Sequence, residues 1–103
     1  MISRHWRGLT RPDRAAEYEQ YLRDDTFPAL KQIQGFVDAS IHKRPLENGM
    51  EFVVISRWTF REAIAEFAGA DVEAAVVPAK VQSMMIEYDQ RARHYEADDL
   101  TGR

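Results

Sequence analysis

Apolar residues occupy both alternating faces of one predicted strand, which spans positions 52–58 and ends at Trp58. One face carries Val53 and Ile55, and the other carries Phe52 and Val54. A strand that is apolar on both sides has to be covered on both sides. The pattern therefore predicts a sheet that packs against helices on one face and against a further layer on the other.

A helix is predicted directly after this strand. Thr59 and Glu62 have the spacing of a capping box, in which each side chain bonds a backbone N–H at the helix start. Gly69 fits the end of the same helix. Trp58 then lies where a sheet meets the start of a helix, which is a common location for a small-molecule pocket.

The first third of the chain predicts a strand and an interrupted helix. Residues 2–9 alternate as a strand does, and Thr10 or Asp13 is placed to cap the helix that follows. Pro28 predicts an interruption of this helix near residues 24–26, followed by a shorter helical piece.

The remaining segments predict two more strands. Residues 36–44 alternate as a strand, and residues 45–49 end in Asn-Gly, which is typical of a β-hairpin turn. Asp71 is placed to cap a short helical turn that Pro78 ends. A long last strand is predicted over residues 84–96, with one face formed by even-numbered positions. That face carries Ile86, Tyr88, Ala92 and His94.

The resulting order, β-α-β-β-α-β, is that of a ferredoxin-like α+β domain with a four-stranded antiparallel sheet in the order 4-1-3-2. We expect residues 1–96 to form this single domain and residues 97–103 to be a flexible tail. Both helices cover the same face of such a sheet. Whichever face they cover, the opposite face keeps an apolar pair, so we expect a homodimer packed sheet to sheet.

The composition narrows the classes of function. The chain has 103 residues, of which 45% are hydrophobic, and this excludes a disordered protein. A net charge of −3 argues against nucleic acid as a partner, and the absence of cysteine excludes disulfides and thiolate chemistry. No apolar run approaches the roughly 20 residues that cross a bilayer, and the N-terminus is too polar for a signal peptide. We therefore expect no membrane association and a cytoplasmic location.

A set of short motifs extends over nearly the whole chain. They are Ile2-x-Arg4-x-Trp6-x-Gly8, Glu17-Tyr18, Tyr21-Leu22, Gly35-Phe36, Ser56-x-Trp58, Glu62-Ala63-Ile64, Phe67-Ala68-Gly69-x-Asp71-Val72-Glu73, Pro78 and His94-Tyr95-Glu96. With these motifs the sequence resembles the antibiotic biosynthesis monooxygenase-like family of dimeric α+β barrels, in a poorly characterised branch. The resemblance implies a small-molecule pocket and no bound cofactor.

Two branches of that family differ from the chain at single positions. Quinone-forming members oxidise polycyclic phenols with O₂ and pair a strand-end Trp with an Asn four residues earlier. Trp58 matches the Trp, but Val54 stands at the second position. Haem-degrading members have a haem-ligating His nineteen residues after the Trp, where this chain has Val77, and an Asn in the first strand, where residues 2–9 contain none.

Five side chains are candidates for contact with a substrate. We expect Trp58, Phe67 and Phe27 to form walls of the pocket. Arg4 and Trp6, which share a strand face, are suited to a planar anion. Other interpretations are a core position for Trp58, with its indole N–H bonded to a backbone carbonyl, and an ion pair between Arg4 and a carboxylate of the last strand.

His94 is the candidate catalytic residue, because histidine titrates near neutral pH and is the first choice for a general acid or base. It shares its strand face with Tyr88, a further candidate for substrate binding. The alternative for His94 is a structural, hydrogen-bonded histidine. The strands of His42 and His94 lie at opposite edges of the expected sheet, so we expect these two and His5 to form no metal site.

The resemblance, together with the expected apolar pocket, implies a cofactor-independent monooxygenase-like protein that acts on a small aromatic or polyketide-like molecule. A base would remove a proton from a phenol or an activated methylene, and the resulting carbanion would reduce O₂ itself. Two alternatives remain open. The first alternative is a non-oxidative isomerase, cyclase or lyase of the same barrel class. The second is a non-catalytic protein that binds a small molecule. Haem degradation is a weaker option, because Val77 cannot ligate iron.

Overall fold

A computed structural model describes residues 1–101 of the chain. The strands are β1 (Ile2–Thr10), β2 (Phe36–Leu46), β3 (Gly49–Trp58), β4 (Met85–Tyr88) and β5 (Arg93–Glu96). They form one antiparallel sheet in the order β2-β3-β1-β4, and β5 also pairs with β1. The predicted α+β class and strand order are confirmed, since β4 and β5 together take the place of the fourth ferredoxin-like strand.

The division of the last strand corrects the prediction of one continuous strand over residues 84–96. Asp89 N–H still donates to Arg7 O of β1 at 2.9 Å, but after this residue the backbone leaves β1 and bonds to a loop instead. Ala75 N–H donates to Gln90 O at 3.0 Å, and Ala92 N–H donates to Glu73 O at 2.8 Å. The sheet therefore has five strands, and the loop around residue 74 is fixed beside β1.

Two of the four residues predicted for one face of the last strand share a face of the sheet. Tyr88 and His94 lie on the same face, because their partners on β1 are both even-numbered residues. Ile86 does not share that face. A register shift at the end of β1 places Met85 in the core, and Ile86 is exposed.

The first helical stretch consists of four segments. They are a 3₁₀ turn (Pro12–Arg14), α1 (Ala15–Tyr21), a π-helical segment (Leu22–Thr26) and α2 (Phe27–Lys31). Neither predicted cap forms. Arg11 precedes the first turn without a side-chain cap bond, and the buried Thr10 hydroxyl donates to Met50 O at 3.3 Å.

The interruption predicted near residues 24–26 takes the form of the π-helical segment. Phe27 N–H bonds the carbonyl of Leu22, five residues back. In a regular α-helix, the ring of Pro28 would crowd the carbonyl of Asp24, and Pro28 offers no N–H of its own. The wider π turn keeps the helix continuous through this point.

The second helical stretch begins without the predicted capping box. It comprises a 3₁₀ segment (Arg61–Ile64) and α3 (Ala65–Ala68). The Thr59 N–H, which Glu62 would accept in a capping box, donates instead to the carbonyl of Gly35 at 2.8 Å, and the Thr59 hydroxyl donates to the same carbonyl at 3.3 Å. Phe60 precedes the helix, and no side-chain cap bond forms. Gly69 ends α3 with φ of 87°, as predicted.

The segment after Gly69 also differs from the prediction. Residues 71–74 form turns rather than a capped helical turn, although Glu73 N–H donates to the Asp71 carboxylate at 3.3 Å. Pro78 starts a helix instead of ending one, because its fixed φ suits the position before α4 (Ala79–Gln82).

The helices cover one face of the sheet, where two groups of buried residues form the core. They are Tyr18, Leu22, Phe52, Val81, Met84 and Met85 in the first, and Leu30, Trp58, Ala63 and Ile64 in the second. The opposite face, here called the open face, carries the half-buried Val53 and Ile55.

At the end of the chain, Ala97 N–H donates to Met1 O, and Asp99 pairs with Arg57. Residues 102 and 103 of the predicted tail lie outside the described residues. No helix in residues 1–101 has the length and apolar character needed to span a bilayer.

Candidate functional site

A cavity of about 180 Å³ lies between the sheet and the first helical stretch. Its walls are mostly apolar and aromatic. The lining residues are Arg4, Trp6, Tyr18, Tyr21, Leu22, Asp25, Thr26, Ala29, Leu30, Val54, Ser56, Phe67, Val76 and Val81. Three of the predicted site residues, Arg4, Trp6 and Phe67, therefore meet in one cavity.

A row of side chains across the helix-covered face forms the polar end of this cavity. Arg4 is the register partner of Ser56 on β3 and of His94 on β5. Directly opposed residues of antiparallel strands have their Cβ atoms about 5 Å apart, so the three side chains are neighbours. The row places a guanidinium beside a hydroxyl at the cavity wall.

The guanidinium of Arg4 is bonded to neutral groups. Its Nη1 donates to the carbonyl of Val72 and to Nε2 of His94, the latter at 2.8 Å, and its Nη2 donates to the carbonyl of Ala74 at 2.8 Å. The ion pair with the last strand is not formed, and Arg4 is only 4% exposed. The carbonyls come from the loop that is fixed by the break between β4 and β5.

Burial lowers the pKa of Arg4 but does not remove its positive charge at neutral pH. Desolvation lowers the pKa of Arg4 to about 10, while the nearby Glu73 acts in the opposite direction. Glu73 itself is shared with two other arginines, Arg61 at 3.3 Å and Arg91 at 3.5 Å. Arg4 is therefore a cation at neutral pH, and its own hydrogen bonds leave that charge unneutralised.

His94 lies beside Arg4 and does not line the cavity. Because a guanidinium only donates, Nε2 of His94 accepts the hydrogen bond and the proton of the neutral ring resides on Nδ1. Nδ1 is buried without a partner among the described residues. Desolvation, and then the charge of Arg4, lower the pKa of His94. In this arrangement His94 is a neutral residue whose basic nitrogen is already occupied.

Trp58 is fully buried and lies behind the cavity wall rather than in it. Its indole N–H donates to Oγ of Ser56 at 2.9 Å, and its ring meets Phe36 edge to face at a centroid distance of 5.4 Å. The predicted backbone acceptor is thus replaced by a hydroxyl. Trp58 reaches the cavity through Ser56, whose own O–H is left to donate.

The other predicted aromatic residues occupy different positions. Trp6 lines the cavity and donates from Nε1 to the carbonyl of Asp89 at 2.9 Å. The ring of Phe67 lies 5.6 Å from Cζ of Arg4, in cation–π contact. Tyr88 packs against Trp6 at 6.4 Å and does not line the cavity. Phe27 lies in a second cavity instead.

This second cavity, of about 340 Å³, lies between the first helical stretch and β2. It shares four lining residues with the first cavity. They are Leu22, Thr26, Leu30 and Val54. The two cavities are therefore separated by single side chains, and the π-helical segment contributes to both.

Sequence reasoning missed the helical side of the site. Tyr18, whose pKa is raised by burial, and Tyr21 line the cavity, as do Asp25 and Thr26. Pro28 was the available indication, because it predicts an irregular helix next to Asp25 and Thr26, and the π-helical segment that contains both residues lies there. Of the residues lining the cavity, Asp25 is the one with a carboxylate.

The three histidines are not brought together. His5 and His42 lie on the open face, where each bonds a serine hydroxyl, whereas His94 lies on the helix-covered face. Residues 1–101 contain no group of three His, Asp or Glu side chains placed to hold a metal ion.

The fold is similar to solved structures over nearly the whole chain. Rv0793 from Mycobacterium tuberculosis is 17% identical, with a TM-score of 0.68 over 98% of each chain. A conserved protein from Methanosarcina mazei Go1 is 14% identical, with a TM-score of 0.67 over 94% of this chain and 92% of that chain. SnoaB, a cofactor-independent oxygenase from Streptomyces nogalater, is 16% identical, with a TM-score of 0.59 over 99% of this chain and 97% of that chain. At such identities the similarity shows a shared fold.

The family follows from a comparison of sequences. None of the curated proteins compared matches the chain. The family model described as antibiotic biosynthesis monooxygenase matches residues 1–77, which is well over half of the 103 residues. The chain therefore belongs to the antibiotic biosynthesis monooxygenase family.

Proposed function

We propose that the protein is a cofactor-independent monooxygenase that acts on a small aromatic or polyketide-like molecule. The observation that carries this proposal is a buried, unneutralised Arg4 at the polar end of an otherwise apolar cavity. A cation in such a site stabilises negative charge more strongly than it would in water. Family membership is consistent with a reaction that proceeds through a substrate anion.

The proposed reaction converts an activated methylene of the substrate to a carbonyl. Loss of a proton gives a carbanion whose charge is delocalised onto an oxygen next to Arg4 and Ser56. The carbanion then gives its electrons to O₂. One oxygen atom enters the product as the carbonyl and the other leaves as water, so that one CH₂ and one O₂ yield one C=O and one H₂O. Trp6 and Phe67 would pack against the rings of the substrate.

The proposal assigns His94 to the orientation of Arg4. Its Nε2 cannot accept a proton from the substrate while it accepts the hydrogen bond of Arg4. Asp25 is exposed and lines the cavity, so it stands at the opening, where it is the candidate to pass a proton to solvent. We expect Asp25→Asn to lower kcat with little change in KM, and Asp24→Asn, an exposed neighbour off the lining, to have no effect.

Oxygen uptake tests the proposal directly. The purified protein, treated with a chelator, would be supplied with a hydroxyanthrone or a naphthol in an oxygen electrode. We expect uptake of one O₂ per molecule of quinone formed, and loss of most of this activity in Arg4→Met. Turnover at the same rate without O₂ would instead indicate the non-oxidative isomerase, cyclase or lyase.

The second candidate, a non-catalytic binding protein, is favoured by one observation. The basic nitrogen nearest to the polar end, Nε2 of His94, is already occupied by Arg4. Saturable binding of the same compounds, with neither oxygen uptake nor product, would support this candidate and contradict the oxygenase.

We infer that two copies pair through their open faces. Val53 and Ile55 lie there in the middle of the sheet, next to His5, and Tyr95 is 49% exposed beside them. An apolar stripe of this kind is typical of a surface that is covered. We expect Ile55→Lys to convert a dimer to a monomer in sedimentation equilibrium, while the exposed Gln32→Lys leaves the mass unchanged. A wild-type monomer at all concentrations would refute the pairing.

A further inference from the structure

The guanidinium of Arg4 has donors to spare at the cavity wall. Of its five N–H groups, two on Nη1 and one on Nη2 are bonded to acceptors among the described residues. The N–H of Nε and the second N–H of Nη2 remain. In a guanidinium these two nitrogens lie side by side and form a fork that matches two acceptor oxygens.

The positive charge of Arg4 also requires a partner, namely a negatively charged group close to the guanidinium. No carboxylate of residues 1–101 lies within 4 Å of the guanidinium, because Glu73 is bonded to Arg61 and Arg91 instead. Glu73 still acts on Arg4 through space, but a buried cation that shares its nearest carboxylate with two other arginines is incompletely compensated. The missing negative charge is therefore expected from outside the chain.

A third donor lies next to this fork. Oγ of Ser56 accepts the indole N–H of Trp58, so its own hydroxyl hydrogen is directed elsewhere. Ser56 is the cross-strand neighbour of Arg4, and both line the cavity. The polar end thus presents three donors, two from Arg4 and one from Ser56, while the basic nitrogen of His94 is taken.

We propose that the site binds its substrate already ionised, as a planar anion whose charge is shared by two adjacent oxygens. These oxygens accept from Nε and Nη2 of Arg4, and Ser56 donates to one of them. Enolates of 1,3-dicarbonyl compounds, tropolonates and carboxylates have this chemistry. The inference rests on the site of the proposed function, and it explains why that site contains no free base at its polar end.

Paired ligands test the proposal in the wild-type protein. Tropolone gives a planar ring with two adjacent oxygens that share one negative charge, and 2-methoxytropone is its neutral counterpart. Benzoate and benzamide form the carboxylate pair. Dissociation constants would be measured by NMR titration at pH 8, without any requirement for turnover. We expect the anion of at least one pair to bind about tenfold or more tightly than its neutral partner.

The pH dependence provides a second readout. Binding of tropolone should strengthen with rising pH in parallel with the ionisation of tropolone itself, and binding of 2-methoxytropone should not. The titratable groups that face Arg4 are His94 from β5 and Glu73 from the loop. Protonation of His94 at low pH would add positive charge beside Arg4 and strengthen anion binding, which is opposite in sign to the predicted strengthening with rising pH. Equal pH profiles for the two ligands would overturn the proposal.

Variants of Arg4 test whether the preference for anions depends on its guanidinium. Arg4→Met should abolish the preference for the anion, and Arg4→Lys, which keeps the charge without the fork, should reduce it. Arg11→Met removes an exposed arginine of equal charge and should leave the preference unchanged. If the two anions bind no better than their neutral partners, or if the preference survives in both Arg4 variants, the proposal is wrong.

The outcomes separate this inference from the proposed function. Preferential binding of the anions without oxygen uptake on any phenol or anthrone would support the inference and contradict the oxygenase. Oxygen uptake by a protein that shows no preference for anions would support the oxygenase and contradict the inference. A preference confined to benzoate identifies carboxylates as the source of the anion, and one confined to tropolone identifies enolates.

Discussion

The hydrogen bond between Trp58 and Ser56 is open to a quantitative test, because both partners are buried and each can be removed separately. Ser56→Ala leaves the indole N–H buried without an acceptor, which costs about 1–3 kcal/mol. Trp58→Phe removes the donor, about 1 kcal/mol, and three heavy atoms from a fully buried site, a further cost of about 1 kcal/mol. Each single variant should therefore be less stable by about 2 kcal/mol.

The double variant measures the bond itself. Once the donor has gone, Ser56→Ala no longer strands a buried group, so the combined loss should be smaller than the sum of the two by about 1 kcal/mol. Urea unfolding at constant m-value would provide these free energies, with Trp6 as the remaining fluorophore in the Trp58 variants. Ser83→Ala, at an exposed hydroxyl, should stay within about 0.5 kcal/mol of the wild type. A combined loss equal to the sum would show that the two side chains do not interact.

Two other predictions concern the backbone and the response to acid. Gly35→Ala should destabilise the fold more than Gly69→Ala, which thermal unfolding would measure. Both glycines have positive φ, of 102° and 87°, but only at Gly35 does the added methyl group meet Cβ of Ala63, at 2.8 Å. Stability should fall as the pH drops below 6.5, the ordinary pKa of histidine, because burial lowers the pKa of folded His94 and the unfolded chain then binds more protons. His94→Gln, which keeps an acceptor for Arg4, should flatten that slope between pH 7 and 5, and an unchanged slope would show that His94 is not the group responsible.

The sequence predicted the sheet well because a strand's pattern is local. The alternation in residues 2–9 and 36–44 and the Asn-Gly turn specify strand positions with little influence from tertiary contacts. The break in the last strand was invisible for the same reason. The excursion between β4 and β5 keeps Tyr88 and His94 on one face, so the alternation continues across it.

The site was predictable in part only. Alternation within each strand places Arg4 with Trp6 and Ser56 with Trp58, and the register of β1 against β3 then brings the two pairs to one face. Alternation does not say which of these side chains reaches open space. Trp58 is enclosed because Leu30 and Ile64 pack against it from two different helices, and that contact has no local signature. The capping box failed similarly, since the carbonyl of Gly35, 24 residues earlier, takes the donors of Thr59.

The π-helical segment connects the backbone to the site. In a regular helix, residues 22 to 31 would advance by 100° per residue without interruption, whereas the wider turn at 22–26 adds one residue and rotates the following helix. Leu22 and Thr26 thereby border both cavities. π turns are frequent at functional sites, and Pro28 disfavours a regular α-helix at this point. The boundary between the two cavities therefore depends on this backbone turn as well as on the side chains that the cavities share. A substrate larger than the first cavity would therefore extend past Leu22 and Thr26 toward β2, with its anionic end held at Arg4.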